Sequence, residues 1–200
     1  RKLLYSDLTN VENQYGSLHT FNSDGFRLTT GSDGNASGGS YVAWCWKAGG
    51  AAVSNTDGTI TSSVSANTEA GFSIVTYTGD GTSGKTVGHG LDVTPVISIR
   101  KARNATLDWF VHYTFVDGTM DFLKLNDTAG DANSSLSAFT STTLPVDDNT
   151  NQYVSYCWHD VPGFSKFGRY DGNDSSDGAY VHLDFRPAFL ILKRIDDSKS

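Results

Sequence analysis

Residues 79–86 read GDGTSGKT, with Gly79, Gly84, Lys85 and Thr86 at the fixed positions of a phosphate-binding loop, G-x-x-x-x-G-K-[ST]. Such a loop holds phosphate because its backbone N–H groups close on the anion and the helix that follows adds the positive end of its dipole. The stretch before it, FSIVTYT, suits the required strand. After Thr86, however, come Val87, Gly88, His89, Gly90 and Leu91, with Pro95 close behind, and paired glycines followed by a proline oppose a helix. The octapeptide therefore reads as a turn, with Lys85 dispensable and no nucleotide bound.

The other candidate chemistry resolves in the same direction. Asp171, Asn173, Asp174 and Asp177 crowd one loop and suggest calcium, but an EF-hand needs Gly at position six and Glu at position twelve, where this chain has Ser176 and His182. Glycoside hydrolysis needs two facing carboxylates. Asp24, Asp33, Asp57, Asp80, Asp117, Asp127, Asp147 and Asp148 all sit in Gly/Ser/Asn-rich turns, and the only glutamates are Glu12 and Glu69. His19, His89, His112, His159 and His182 are scattered, without an H-E-x-x-H or a G-x-S-x-G. No residue is assigned to catalysis, to a cofactor or to a metal. Cys45 and Cys157 are too few for a disulfide framework and read as buried, reduced thiols.

The elements that would position any site follow a period of two. Trp109, Val111, Tyr113 and Phe115 share one face of WFVHYTFV, and Val181, Leu183 and Phe185 alternate with polar residues. Ile60, Ser62 and Val64 follow the hairpin turn Asp57-Gly58. The continuous runs VISI (96–99) and AFLIL (188–192) suit strands covered on both faces, and a single weak helix candidate spans Asp7 to Gln14. These features predict an all-β chain, an antiparallel β-sandwich.

The chain also repeats itself. Tyr41, Val42, Cys45 and Trp46 recur at identical spacing as Tyr153, Val154, Cys157 and Trp158. GFS at 71–73 recurs at 163–165, His89 as His182, and the run from Pro95 to Lys101 as that from Pro187 to Lys193. Leu18, Phe21, Phe26 and Leu28 fall on Leu136, Phe139, Leu144 and Val146. The matches define repeated units of about 90 residues, the size of a domain rather than of a solenoid turn. On this reading 70–158 is one complete unit, 1–46 a closing half, 47–69 a hairpin or linker, and 159–200 an opening half. The two halves complete either each other or the halves of a neighbour. His89 and His182 should then share a structural role, and Trp46 and Trp158 should occupy equivalent core positions.

Composition limits the partners. Lys+Arg 15 against Asp+Glu 22 leaves a net charge of −7, which repels phosphate backbones and anionic lipid alike, so neither nucleic acid nor membrane insertion is expected. No run approaches 18 consecutive apolar residues, and the opening RKLLYSDL reads as part of something longer. The 24 aromatics (11 Phe, 9 Tyr, 4 Trp) read as core, with a sugar-stacking platform as the alternative.

The segments YVAWCWKAGG, AGFSIVTYTGDG, TVGHGL, YVSYCW, PGFSKFGRYDGN and FRPAFLILKR closely resemble a repeated domain of large structural proteins of tailed phages, chiefly marine and cyanobacterial ones. There the domain follows lectin-like or SPRY-like sandwiches in tail-fibre or other virion-surface polypeptides. The resemblance implies a non-enzymatic structural or adhesive module of a virion appendage, exposed on the particle surface. Its implied partners are other virion subunits, with assembly into homo-oligomers or a fibre. The competing reading is a carbohydrate-binding sandwich that recognises a host surface glycan.

Overall fold

The structure is a computed structural model that describes residues 2–14, 18–29 and 34–196. Among these residues there are twelve strands: β1 (Leu18–Phe21), β2 (Phe26–Leu28), β3 (Val53–Asn55), β4 (Ser62–Asn67), β5 (Phe72–Thr78), β6 (Thr86–Gly88), β7 (Ile97–Ala102), β8 (Phe110–Tyr113), β9 (Asp121–Lys124), β10 (Ala132–Asn133), β11 (Thr143–Pro145) and β12 (Gln152–Trp158). Eight form one antiparallel sheet in the order β10-β9-β8-β7-β12-β5-β4-β3. A second layer is the ribbon β11-β6, and β1 and β2 form a separate hairpin. The protein is an all-β antiparallel sandwich.

Alternation along β12 divides the core. Tyr153, Ser155 and Cys157 point under the ribbon, where Val64, Val75 and Tyr77 meet Val87, Leu144 and Val146. Tyr77 stacks on its cross-strand partner Tyr153 with centroids 5.2 Å apart. On the opposite face Val111, Tyr113 and Leu123 form a smaller cluster with Ile97, Ile99 and Phe115. This is the alternation expected of WFVHYTFV. The Asp57-Gly58 hairpin also forms, joining β3 to β4. The backbone is too close there for a side chain, since a Cβ on Gly58 would lie 2.5 Å from the Thr86 carbonyl oxygen.

Residues 2–13 are not helical. Leu3 and Asn13 exchange backbone hydrogen bonds of 2.9 and 3.2 Å, and the Glu12 N–H donates to the Arg103 carbonyl at 2.7 Å, so the segment folds back as a strap on the second face of the sheet. The Glu12 N–H finds its partner on the sheet side, and Leu3 and Asn13 find theirs in each other across the fold-back.

The largest departures from expectation lie in the flanking segments. Neither 41–46 nor 164–194 contains a strand, so the alternation at 181–185 and the apolar run 188–192 do not produce the strands expected of them. Their large side chains are exposed, Val42 by 76%, Trp44 by 63% and Ile191 by 67%. Topology supplies the reason. In the central unit β5 and β7 are not neighbours, because β12 lies between them and pairs with both. Among the described residues no strand lies between the counterparts of β5 and β7, at 164–170 and 189–194. Trp46 stands half-exposed and Trp158 is itself only partly buried, outside both core clusters, so neither takes the core position expected of it.

Cys45 follows its segment and is exposed, against the expectation of a buried thiol, whereas Cys157 is fully buried and its thiol is pushed up to about 12 by burial. Reaction with a thiol-specific chromogenic reagent should therefore count one cysteine per native chain, at Cys45, and two in strong denaturant. Two fast native thiols would contradict the burial of Cys157.

Candidate functional site

The strap and the sheet enclose a groove lined by Leu3, Leu4, Glu12, Arg103, Trp109 and Tyr156. Its floor comes from the pleat. Val154 and Tyr156 project from β12 on the face opposite Cys157, with Thr76 beside them on β5. Trp109 stacks against Tyr156 at 6.5 Å, and its indole N–H donates to the Tyr5 carbonyl at 2.6 Å, which ties ring and strap together. Tyr156 is only half-buried and is the aromatic face left open to the groove.

Charge fixes the rim. Arg103 donates from Nε and Nη2 to the two Glu12 carboxylate oxygens at 2.7 and 3.1 Å, and Lys2 approaches the same carboxylate at 2.7 Å. Burial works against the charge on Glu12, but these hydrogen bonds prevail and hold its carboxyl below the usual range. Beneath the strap the fully buried Lys101 donates from Nζ to the carbonyls of Thr9, Ala102 and Ala105 at 3.1, 3.0 and 3.4 Å. A cation in an apolar setting needs such partners. The groove offers a flat ring beside a bidentate ion pair, a combination suited to polar ligands with one apolar face.

None of the other carboxylates singled out in the sequence lines this groove beside Glu12, while Asp117 lies close enough to the buried Asp121 to help hold its carboxyl above the usual range, as does Asp131. Glu12 is engaged by Arg103, Asp147 by Arg100 at 2.7 Å, and Asp108 by Lys124 at 2.8 Å. Glu69 lies in an exposed turn. The residues after the GDGTSGKT turn form β6 rather than a helix, and Lys85 Nζ lies 3.6 Å from Asp80. The loop containing Asp171, Asn173, Asp174 and Asp177 is closed by its own side chains. Asn173 Nδ2 donates to the Gly178 carbonyl, and Asn173 Oδ1 accepts from the Ser175 N–H. Among the described residues no three His, Cys, Asp or Glu converge on a metal position.

His89 and His182 do not share a role. His89 is fully buried, accepting at Nδ1 from the Leu91 N–H and lying at Nε2 3.2 Å from the Thr140 carbonyl, whereas His182 is exposed and meets Asp184 at 2.6 Å. His159 Nδ1 faces the Asp160 carbonyl at 2.7 Å, and the side chain of His19 lies outside the described part of the structure. His112 is buried on β8 beside Phe110 and Phe122.

A second aromatic feature escaped the sequence reading. Trp158, at the end of β12, touches Phe72 of its own unit (5.0 Å), Trp46 of the preceding segment (6.2 Å) and Phe167 of the following one (6.3 Å). One ring thus touches the sheet and the segments that precede and follow it in the chain. Its recurrence as Trp46 and Trp158 was visible; its position at a junction was not, because strand order is not written in local periodicity.

Two measurements test these assignments. Arg103→Ala should free the strap at a cost of about 1 kcal/mol, the scale of a partly exposed ion pair, seen as faster proteolysis within residues 2–14 while the core stays protected. Burial, reinforced by the charge on Arg100, holds the His112 pKa well below its usual value, and burial also lowers that of His89. The unfolded chain therefore binds protons at about pH 6.5 when the folded one does not, so stability falls as pH drops through that range. His112→Gln should shallow the decline in unfolding midpoint between pH 7 and pH 5; an unchanged slope would remove His112 from it.

No curated protein and no solved structure matches the chain significantly. One family model does, over residues 1–200, so both flanking segments, the strap and the central sandwich fall within a single family definition. The chain belongs to the family described as a domain of unknown function, DUF7483.

Proposed function

We propose that the chain is a non-enzymatic structural or adhesive module of a phage virion appendage, a tail fibre or a surface decoration. The observation that carries this reading is the set of motifs YVAWCWKAGG, GFSKFG and FRPAFLILKR, specific in sequence and spread over the chain. The fold agrees with it. Glu12, Asp108 and Asp147 are held in ion pairs, while the largest exposed apolar runs, 41–46 and 189–192, lie in segments whose sequence repeats parts of the sandwich itself. Exposed apolar surface of that extent suits contact with other subunits.

The groove supports a second reading, recognition of a host surface glycan, because Tyr156 offers a ring beside the polar rim of Arg103 and Glu12.

Gold-labelled antibody against the chain, applied to intact particles of a tailed phage that encodes it, should decorate the appendages. Label confined to infected-cell lysate would refute the virion reading. Titration calorimetry with host surface polysaccharide tests the second reading, which requires heat of binding that is lost in Tyr156→Ala.

A further inference from the structure

We propose that the groove between the strap and the sheet binds acidic saccharides, sugar rings that carry a carboxylate, through the cations Lys2 and Arg103 at its rim. The inference rests on the glycan reading of the groove and names the class of sugar. The groove encloses about 490 Å³, within the range of about 300–1,000 Å³ common to small-ligand sites.

Charge selects the ligand. Two cations, Lys2 and Arg103, and one carboxylate, Glu12, line the groove, which leaves an excess of one positive charge. The part of this triad that faces solvent is the cationic part, since the side chains of Lys2 and Arg103 are 52% and 28% exposed and that of Glu12 only 10%. Lys101 adds to the same field. It stands opposite Val154 of β12, on the face of the sheet that floors the groove, sealed beneath the strap with backbone carbonyls as its partners. The net charge of −7 belongs to the whole chain. At physiological ionic strength exposed charges more than about 8 Å apart are largely screened, so the groove governs what touches it.

Donors remain for the ligand. Arg103 gives Glu12 only Nε and one hydrogen of Nη2, so the end-on pair of Nη1 and Nη2 still presents a fork that matches a second carboxylate. Lys2 meets Glu12 through a single contact and keeps further ammonium hydrogens. Beside them lies the half-buried ring of Tyr156, against which the apolar face of a pyranose can rest. Burial raises the Tyr156 hydroxyl and the charge on Arg103 partly offsets the rise, so ring and guanidinium act on the same space. Glu12 Oε2 meets only Arg103 Nε and retains acceptor capacity for a sugar hydroxyl. A fatty acid would satisfy the cations and leave that carboxylate facing hydrocarbon. A sugar acid satisfies ring, cations and carboxylate together.

NMR titration of the isotope-labelled chain tests this, because Trp109 lines the groove and its indole N–H gives one of four such signals. Trp109→Phe assigns the signal. Short oligomers of galacturonate, glucuronate and mannuronate are added, each beside its methyl ester, which keeps the ring and removes the charge. The expected result is a saturable shift of the Trp109 signal with at least one acid, with an affinity that falls on addition of salt and is roughly tenfold weaker for the ester. Lys2→Gln, at an exposed site on the strap, should weaken binding of the acid roughly fivefold and leave that of the ester unchanged. An ester that binds as well as its acid, or an acid indifferent to Lys2→Gln, would overturn the inference and leave a glycan site without charge preference. A Trp109 signal unmoved by every acid would overturn it as well. If the esters also fail to move the signal, the glycan reading of the groove falls with it.

Discussion

The sandwich depends on one topological constraint, that β12 lies between β5 and β7 and supplies the backbone partners of both. β5 and β7 are near in sequence yet never touch as strands. They become a sheet only when a segment some 50 residues beyond β7 returns and enters between them. Backbone N–H and C=O groups removed from water without partners cost free energy comparable to a lost hydrogen bond, so the opening half cannot bury its apolar runs first and find a partner later. Loop-closure entropy must be met before the central ladder forms, which makes this a fold of high contact order.

The same strand also divides the molecule's chemistry. Because side chains alternate, seven residues of β12 send Tyr153, Ser155 and Cys157 into the ribbon-covered core and Val154, Tyr156 and Trp158 to the face that carries the groove and the inter-segment junction. A one-residue slip would exchange the two sets. Burying Tyr156 and Trp158 under the ribbon while Cys157 and Ser155 floored the groove would destroy both at once. The register is held from both sides. Arg100, opposite Ser155, reaches Asp147 and lies over the Tyr153 ring at 5.5 Å, and Lys101, opposite Val154, is secured by three carbonyls.

Much of the fold was legible because it is local. The period of WFVHYTFV, the Asp57-Gly58 turn and the glycines after Thr86 each act over a few residues, and each produced the structure expected of it. What the sequence could not convey was dependence on distant partners. AFLIL at 188–192 has the composition of a covered strand and is not one, since composition states what a segment would bury and not whether the neighbour is present. The strap failed for the same reason, its weak helical pattern being overridden by pairing with Arg103. The groove was half visible. Glu12 stood out as one of two glutamates, but nothing near it in sequence indicates that Arg103 and Trp109 would meet it.

Comparison of Lys101 with Lys193 shows how far a repeated sequence carries its physics when its partners differ. Each closes a proline-led apolar run, and each points its ammonium at backbone carbonyls, three for Lys101 and the single Asp127 carbonyl for Lys193. Local chemistry is thus retained, and what differs is burial. Lys101 is sealed beneath the strap, whereas Lys193 remains at the surface beside a run in which Leu190, Ile191 and Leu192 are left in water. Each such side chain forgoes roughly 1.5–3 kcal/mol of transfer free energy, and a whole domain is stable by only about 5–15 kcal/mol. A few exposed residues of this kind are therefore comparable to the stability of the folded unit beside them. The free-energy gradient favours supplying a strand to this segment over leaving it bare, because the strand that is missing here is of the kind the chain already uses at β12.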